Sequence, residues 1–597
     1  SLRMKRSALP LRETFHNFLP LKPYFMENRW AIAVGLMCLL VVDFLQLAIP
    51  LVLKKAIDML TVQTATSRVL IHQGLIILSL ALVIAVFRYI WRYLLIGHSR
   101  KVEQGLRNAL YRHLQTLSLT FYQKTKTGDL MARAINDINA IRMAAGMGLV
   151  AMTDGLVLGI AAVGFMLSID VTLTLISLIP APIIVVLTRV LTKRMSSGFE
   201  RVQETFSDVT ERVREAFAGI RIVKAYHRES WGYQRVKAEG RRYIAVNMDL
   251  AKTLAVFFPM MAIFTNAGLA VVIWLGGRLT ILGDITTGDL VAFISYLNLL
   301  TWPMMAMGWV TNLVQRGAAS MRRINGILQE VPEIRDSPPS QRIQGIAEKI
   351  EFKDLSITYP GHTDFALRGI HLNIHVGETI ALVGRVGSGK TTLLCAIPRI
   401  LEVPPGTLFI DGVDLRRVSL DSLRGNIGFV TQDVFVFSDT VRNNIVFGRP
   451  GVSETEIQET LRAADISADI ENLEHGLDTM LGERGITLSG GQRQRLTIAR
   501  ALIGAPSVLI LDDALSMVDT RTEERILRRI LEMRRGKTQL IVSHRASTIS
   551  RADRVIVLDR GEVVEQGTHA DLLRTGDLYP RLYRKQMLSQ ELDIGAK

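Results

Sequence analysis

Cysteine is almost missing: Cys38 and Cys395 are the two in 597 residues, and they sit in very different surroundings. That excludes a disulfide framework and suits a reducing compartment. Residues 1–28 contain no apolar core followed by a small-residue cleavage site, so no cleavable signal peptide is expected. Acid is the scarcer charge, with 56 Asp and Glu against 71 Lys and Arg. A net charge of +15 is compatible with nucleic-acid binding in a polar chain. In one that is 48% hydrophobic, with positive mean hydropathy, it points instead to cytoplasmic faces beside lipid. No nucleic-acid partner is expected, and the length predicts several domains rather than one core.

Long apolar runs are what the first half has in plenty, at roughly 30–53, 69–97, 144–168, 171–190, 253–277 and 287–312. A spanning helix needs about 20 mostly apolar residues. Buried helices of a soluble domain would account for one or two such runs, not six. Six spans return the chain to its starting side, so the N-terminus and the second half share a side. The connectors 98–143 and 191–252 carry Arg100, Lys101, Arg107, Arg112, Arg194, Arg212, Arg214 and Arg242. The excess of positive charge inside makes that side cytoplasmic, although the short 54–68 loop also holds Lys54 and Lys55. Both connectors have a helical pattern and would carry helices about 30 Å beyond the lipid. Their tips, 121-FYQKTKTGDLMARAINDI-138 and 211-ERVREAFAGIRIVKAYHRE-229, are either contacts to a cytoplasmic domain or solvated amphipathic helices.

Composition changes at 326–345, where 331-VPEIRDSPPS-340 reads as a turn-rich linker. Beyond it, short β-branched runs alternate with helical segments, as in an α/β domain. The expected organisation is a helical transmembrane domain over 1–325, a linker over 326–345 and an α/β domain over 346–597.

The chemistry is concentrated in that last domain. In 381-ALVGRVGSGKTT-392 an apolar strand feeds a glycine loop that opens a helix. Gly384, Gly387 and Gly389 allow backbone N–H groups to curl around phosphate oxygens, with Ser388 between them. Lys390 reaches the terminal phosphates, and the Thr391 hydroxyl, followed by Thr392, can ligate Mg²⁺. Downstream, 508-VLILD-512 is an apolar strand ending in an acid. Asp512 would hold the Mg²⁺ shell, and Asp513 is placed to orient or deprotonate a water. Between these, 488-LSGGQRQRLTIARAL-502 starts a second helix with Ser489, Gly490, Gly491 and Gln492, another phosphate-binding N-terminus. One nucleotide hardly needs two such devices from one domain. A head-to-tail pair, each closing the other's nucleotide, is the natural use.

The order 384-GRVGSGKTT-392, Gln432 in 430-VTQD-433, 488-LSGGQ-492, 508-VLILDD-513, 516-SMVD-519 and His544 in 541-IVSHR-545 resembles the nucleotide-binding domain of ABC transporters. With six spans ahead of it, the chain resembles an exporter-type half-transporter along nearly its whole length. The resemblance implies a six-helix transmembrane domain of the ABC exporter type followed by an α/β P-loop domain that uses ATP and Mg²⁺. It implies that Tyr359 stacks on adenine, that Gln432 senses the γ-phosphate and Mg²⁺, and that His544 contacts the γ-phosphate. It further implies that Asp519 communicates across a dimer, and that 482-GERG-485 lies near the coupling contacts.

Asp513 departs from the family's usual Glu. One methylene shorter, its carboxylate falls back by roughly an ångström, and misplacement on that scale can cost about a hundredfold in rate. With Lys390, the 488-LSGGQ-492 motif and His544 intact, the pattern resembles the Asp-bearing subunit of bacterial heterodimeric multidrug exporters. That implies a second half-transporter supplying the Glu, with Ser489 and Gly491 closing the partner's site; a homodimer with two slow sites is the competitor. The implied activity is ATP-driven export of amphipathic small molecules across the cytoplasmic membrane by alternating access. A lipid flippase or an ATP-gated channel or regulator would share the architecture. Within the spans Asp43, Gln46, Arg88, Arg92, Asn266 and Asn298 are candidates to line a cavity, and Asp43, deepest by sequence, would favour cationic cargo. Trp302, Met304, Met305, Met307 and Trp309 provide either an adaptable apolar surface for cargo or ordinary packing.

Overall fold

In the computed structural model the described residues are 17–595, apart from 64, 65, 337, 360, 362, 483–487 and 544. They form two compact units, Ser1–Leu114 with Thr127–Glu330, and Gln115–Lys126 with Val331–Lys597.

Among the described residues the first unit is built on six long helices: α1 Arg29–Thr61, α2 Ser67–Thr116, α3 Leu149–Ile169, α4 Pro180–Ala218, α5 Glu229–Val271 and α6 Thr287–Leu328. Four helical stretches among the described residues are long and apolar enough to cross a membrane: Arg29–Thr61, Ser67–Thr116, Thr127–Ile169 and Thr287–Leu328. Asn266–Leu282 is a shorter apolar helix. The expected fourth and fifth apolar runs fall on helix, in Val171–Ser177 with α4 and in α5 with its continuation. Helices run past the apolar stretches because no cap or breaker interrupts them, so α2 continues from lipid depth into the basic connector. Lys54 and Lys55, expected in a loop, therefore lie in the closing turns of α1, where Lys54 Nζ pairs with Asp289 at 2.5 Å. Asp289 also completes a capping box with Thr286 that starts α6.

Along α2, Ile71, Leu75, Leu78, Leu82, Val86, Tyr89 and Tyr93 recur at helical spacing and are all exposed. In water such a stripe would be costly; against lipid it is the expected outer face. The inner side is packed: Leu47, Leu158, Ala162, Met166, Phe293 and Tyr296 form a buried cluster. The Tyr296 hydroxyl, which needs a partner when buried, donates to the Leu47 carbonyl at 3.0 Å.

Among the described residues the second unit contains ten strands: β1 Lys349–Thr358, β2 Phe365–His375, β3 Thr379–Gly384, β4 Leu408–Ile410, β5 Val413–Asp414, β6 Ile427–Val430, β7 Val508–Asp512, β8 Thr538–Val542, β9 Arg554–Asp559 and β10 Glu562–Gly567. A four-stranded antiparallel sheet has the order β2-β1-β4-β5, and a six-stranded sheet the order β10-β9-β3-β8-β7-β6. In the larger sheet β9, β3, β8, β7 and β6 run parallel. β3, β7 and β8 are buried along their whole length; both faces are covered, which is why β3 and β7 read as nearly continuous apolar runs. In register, Val542 of β8 lies beside Leu382 of β3 and Asp512 of β7. The glycine loop and the acid pair thus leave the sheet at the same carboxyl edge, where ligands bind in open α/β sheets.

Gln115–Lys126 folds with this unit. It contains the short helix Leu119–Lys124, and Ser118 Oγ donates to Glu333 Oε2 at 2.9 Å. The other connector tip, Ile220–Ala225, stays with the first unit.

Candidate active site

The glycine loop has the shape its sequence demands. Gly387 and Gly389 adopt φ of +79° and +99°, where a Cβ is strained. A Cβ on Gly384 would collide with the Leu558 carbonyl and stand 2.6 Å from Ser388 Oγ. Gly389 stands at the N-cap of α7, Lys390–Ala396. Lys390 is mostly buried and donates to the carbonyls of Gly384 at 2.9 Å and Arg385 at 2.8 Å. Burial lowers its pKa from the usual lysine range, partly opposed by Asp512 and Asp513. Tyr359 reaches the same helix, its hydroxyl 3.1 Å from Thr392 Oγ1.

Asp512 ends β7 and is 2% exposed. Burial raises its pKa, the Thr391 side chain hydrogen-bonds it, Asp513 pushes it further up, and Lys390 lowers it. Its Oδ2 is buried without a hydrogen-bond partner among the described residues. A hydroxyl and an orphaned carboxylate oxygen beside a phosphate loop are the hard oxygen donors that suit Mg²⁺. No cluster of three or more His, Cys, Asp or Glu side chains suited to a metal occurs among the described residues. Asp513 follows with φ of +49°, and its N–H donates to the Val542 carbonyl at 3.2 Å. Gln432 is exposed on the loop after β6.

The structure therefore brings Lys390, Thr391, Thr392, Tyr359, Asp512 and Asp513 to one sheet edge. The Ser-Gly-Gly-Gln residues form a second pole. Ser489 caps α8, Gly490–Leu502, through a complete capping box with Gln492, and Gln492 Nε2 donates to Asp469 Oδ1 at 2.8 Å. A Cβ on Gly490 would meet Met517 Sδ at 3.0 Å, and one on Gly491 the Met517 carbonyl at 3.1 Å. The loop 516-SMVD-519 thus lies against the start of α8. Asp519 caps α9, Thr520–Met533, accepting from the Thr522 N–H at 3.0 Å. That hydrogen bond holds its carboxyl below the usual range. His544, and residues 483–485 of 482-GERG-485, lie outside the described residues.

Three residues that sequence reasoning passed over tie these poles together. Gln494, fully buried, donates to Ser516 Oγ at 3.1 Å and accepts from the Met517 N–H at 2.8 Å. Glu523 is buried, pairs with Arg545 and accepts from Thr548 Oγ1 at 2.6 Å. Arg545 also donates to the Val518 carbonyl at 2.7 Å. A cavity of about 220 Å³ lies behind Asp513, lined also by Leu511, Ser516, Glu523, Ser543 and Arg545.

Among the membrane candidates, Asp43 is buried, and Arg88 makes a long 3.5 Å contact to Gln46 Oε1. Arg92 turns outward and lies over the Trp91 ring at 5.6 Å. Asn266 and Asn298 are exposed, Met304 packs against the buried cluster, and Trp302 and Trp309 are partly exposed. The side chains of Met305 and Met307 lie outside what is described.

Comparison with known proteins gives two matching family models: ABC transporter transmembrane region over residues 32–304 and ABC transporter over residues 367–516. The chain is 34% identical over 577 residues to the probable multidrug resistance ABC transporter ATP-binding/permease protein YheI of Bacillus subtilis (strain 168), covering 96% of this chain and 98% of that protein. It is 36% identical to the multidrug resistance-like ATP-binding protein MdlA of Escherichia coli (strain K12), covering 96% and 97%. It is also 36% identical to an ATP-dependent lipid A-core flippase of Syntrophus aciditrophicus (strain SB), covering 93% and 92%. A solved structure of a bacterial Atm1-family ABC exporter with ATP bound superposes with a TM-score of 0.79 at 27% identity, covering 94% of this chain and 99% of that one.

Proposed function

The chain belongs to the ABC transporter family, as an exporter-type half-transporter whose membrane domain is fused to an ATP-hydrolysing domain, and we propose that it is the Asp-bearing subunit of a heterodimer that exports amphipathic small molecules. Asp513 carries this reading: an aspartate stands at the base position while the Ser489 cap and its glycines are in order. In the proposed division of labour, this chain's own site is slow and the partner's is fast. Lys390 exchanges its two loop carbonyls for phosphate oxygens. Thr391, Asp512 and Gln432 would hold Mg²⁺, which would neutralise charge on the phosphates. Asp513 orients water, His544 contacts the γ-phosphate, and Tyr359 stacks on the base. Ser489, Gly490, Gly491 and Gln492 close the partner's nucleotide, and Asp519 signals across the pair.

The proposed domains are 1–325, 326–345 and 346–597, with the N-terminus and the nucleotide domain on the cytoplasmic side of the inner membrane. Phe217, Ile222 and Tyr226, in and beside Ile220–Ala225, are exposed, and these apolar side chains suit docking on a cytoplasmic domain. ATP binding stabilises the closed, outward-facing state, and hydrolysis restores the other. The multidrug names of two relatives support the cargo class; the lipid A-core flippase keeps lipid as the alternative.

The test is affinity purification from the native membrane with identification of the stoichiometric companion. A second half-transporter with Glu at the position of Asp513 is expected. An ATPase-active homodimer would refute the division of labour. ATP-driven flux of fluorescent lipid but not of dyes would replace the drug reading with the flippase one.

A further inference from the structure

One buried charge in the ATP-binding unit has no part in the proposed chemistry. Glu523 stands in the opening turns of α9, 1% exposed, and its N–H donates to the Asp519 carbonyl at 2.9 Å. Burial raises its pKa, the Thr548 hydrogen bond and the Arg545 charge oppose that, and Asp513 adds to it. Its partners close a ring. Arg545 pairs with Glu523 Oε2, the Arg545 carbonyl accepts from the Thr548 N–H at 3.2 Å, and Thr548 Oγ1 returns to Glu523 Oε1 at 2.6 Å. Arg545 also reaches out of the ring twice. Its second guanidinium nitrogen donates to the Val518 carbonyl at 2.7 Å, and its backbone N–H to Ser543 Oγ at 3.1 Å.

The ring joins two segments that leave neighbouring strands of the sheet. One follows β8 and runs from Ser543 to Thr548, with residue 544 between two held neighbours. The other follows β7 and ends at Val518 and Asp519, the cap of α9. A buried ion pair seldom repays in stability what it loses in desolvation, so stability is a weak reason for this one. Asp513, Glu523 and Arg545 all line the cavity of about 220 Å³. That space lets the ring shift as a body beside the acid, which a close-packed core would not allow. We propose that Glu523 is a positioning residue: through Arg545 it makes the segment carrying His544 and the loop carrying Asp519 move together, and so transmits occupancy of this chain's own ATP site to the partner's. The inference rests on the paired reading above, in which His544 meets this chain's nucleotide and Asp519 signals across the pair, and adds the side chain that links them.

The test measures ATP turnover by the full transporter in nanodiscs, with the half-transporter that accompanies it. Lys390→Ala in this chain empties its own site, and the partner's turnover is expected to fall at least about fivefold, because coupling between two sites typically amounts to about 5- to 150-fold. In Glu523→Gln the amide oxygen still accepts from Thr548 but the guanidinium is no longer held. Adding Lys390→Ala to that variant is expected to change turnover by less than about twofold, the non-additivity that marks two residues acting on one link. Glu523→Leu with Arg545→Met controls for stability, since apolar side chains of similar size can replace a buried ion pair without destabilising the fold. Its unfolding midpoint should hold while the coupling stays lost. Equal effects of Lys390→Ala with and without Glu523, no effect in the wild type, or coupling that returns in the apolar pair would each overturn the inference and leave the division of labour standing. If the purified assembly is two copies of this chain, the division of labour falls, and the inference with it.

Discussion

Gln494 offers the sharpest test of how the two poles of the ATP site are held together. Its side chain makes one hydrogen bond to Ser516 Oγ and one from the Met517 N–H, with no exposure to solvent. Gln494→Leu keeps the volume and removes both. Each net hydrogen bond is worth about 1 kcal/mol, and a buried N–H left unpaired costs roughly 1–3 kcal/mol more. The expected destabilisation is about 3–5 kcal/mol, on the order of ten degrees in the unfolding midpoint of a domain of this size. The catalytic effect is larger in proportion. The loop 516-SMVD-519 continues directly from Asp513, so its release lets the acid wander, and about 1 Å of misplacement can cost roughly a hundredfold. ATPase assays on the assembled transporter should show kcat falling on the order of tenfold to a hundredfold, with KM for ATP little changed because Lys390 and its loop are untouched. Gln494→Glu should fall between, since a carboxylate can still accept from Met517 N–H and from a rotated Ser516 hydroxyl, at the cost of a buried charge. An unchanged kcat in Gln494→Leu would refute the tie.

Gly384→Ala should abolish ATP binding in a fluorescent-nucleotide assay, because its Cβ meets the Leu558 carbonyl with no flexible neighbour to yield. Burial raises the Asp512 pKa, and only the deprotonated carboxylate binds a divalent cation. The gain in nucleotide affinity on adding Mg²⁺ should therefore shrink as pH falls, beginning at a higher pH than for an ordinary carboxylate; calorimetric titration at several pH values checks it. Burial pushes the Glu565 carboxyl up, but the N–H groups of Leu578, Asp577 and Tyr579 outweigh it and hold it below the usual range. Its contribution to stability is then present above the unfolded pKa and lost as pH falls through the folded one, and Glu565→Gln should lower the unfolding midpoint at pH 7 more than at pH 4.

What the sequence made legible was chemistry carried by neighbours in the chain. The loop from Gly384 to Thr392 and the cap at Ser489 declare themselves because a strand, a turn and a helix start must follow one another closely. Gln494, Glu523 and Arg545 were hidden because their partners come from other segments, and a Gln inside an amphipathic helix looks like any solvated polar residue. Asp154 was missed for a related reason: its partner, the Trp302 indole N–H at 2.7 Å, arrives only when α3 and α6 pack. The spans were legible from hydropathy, whereas their ends were not: α1 and α2 continue as helix well past the apolar stretch, since helix formation needs no lipid once the first turns exist.

The membership of Gln115–Lys126 in the nucleotide unit has a practical consequence for anyone wishing to divide this protein. The boundary between its two bodies is not a point on the chain but three separate crossings. A fragment begun at Val331 would abandon a piece of its own fold and strip Glu333 of the hydroxyl it holds. Ser118, by its address a residue of the membrane half, would behave in any domain exchange as cargo of the other. Chimeras joined at the linker alone would inherit a tongue cut for a different mouth.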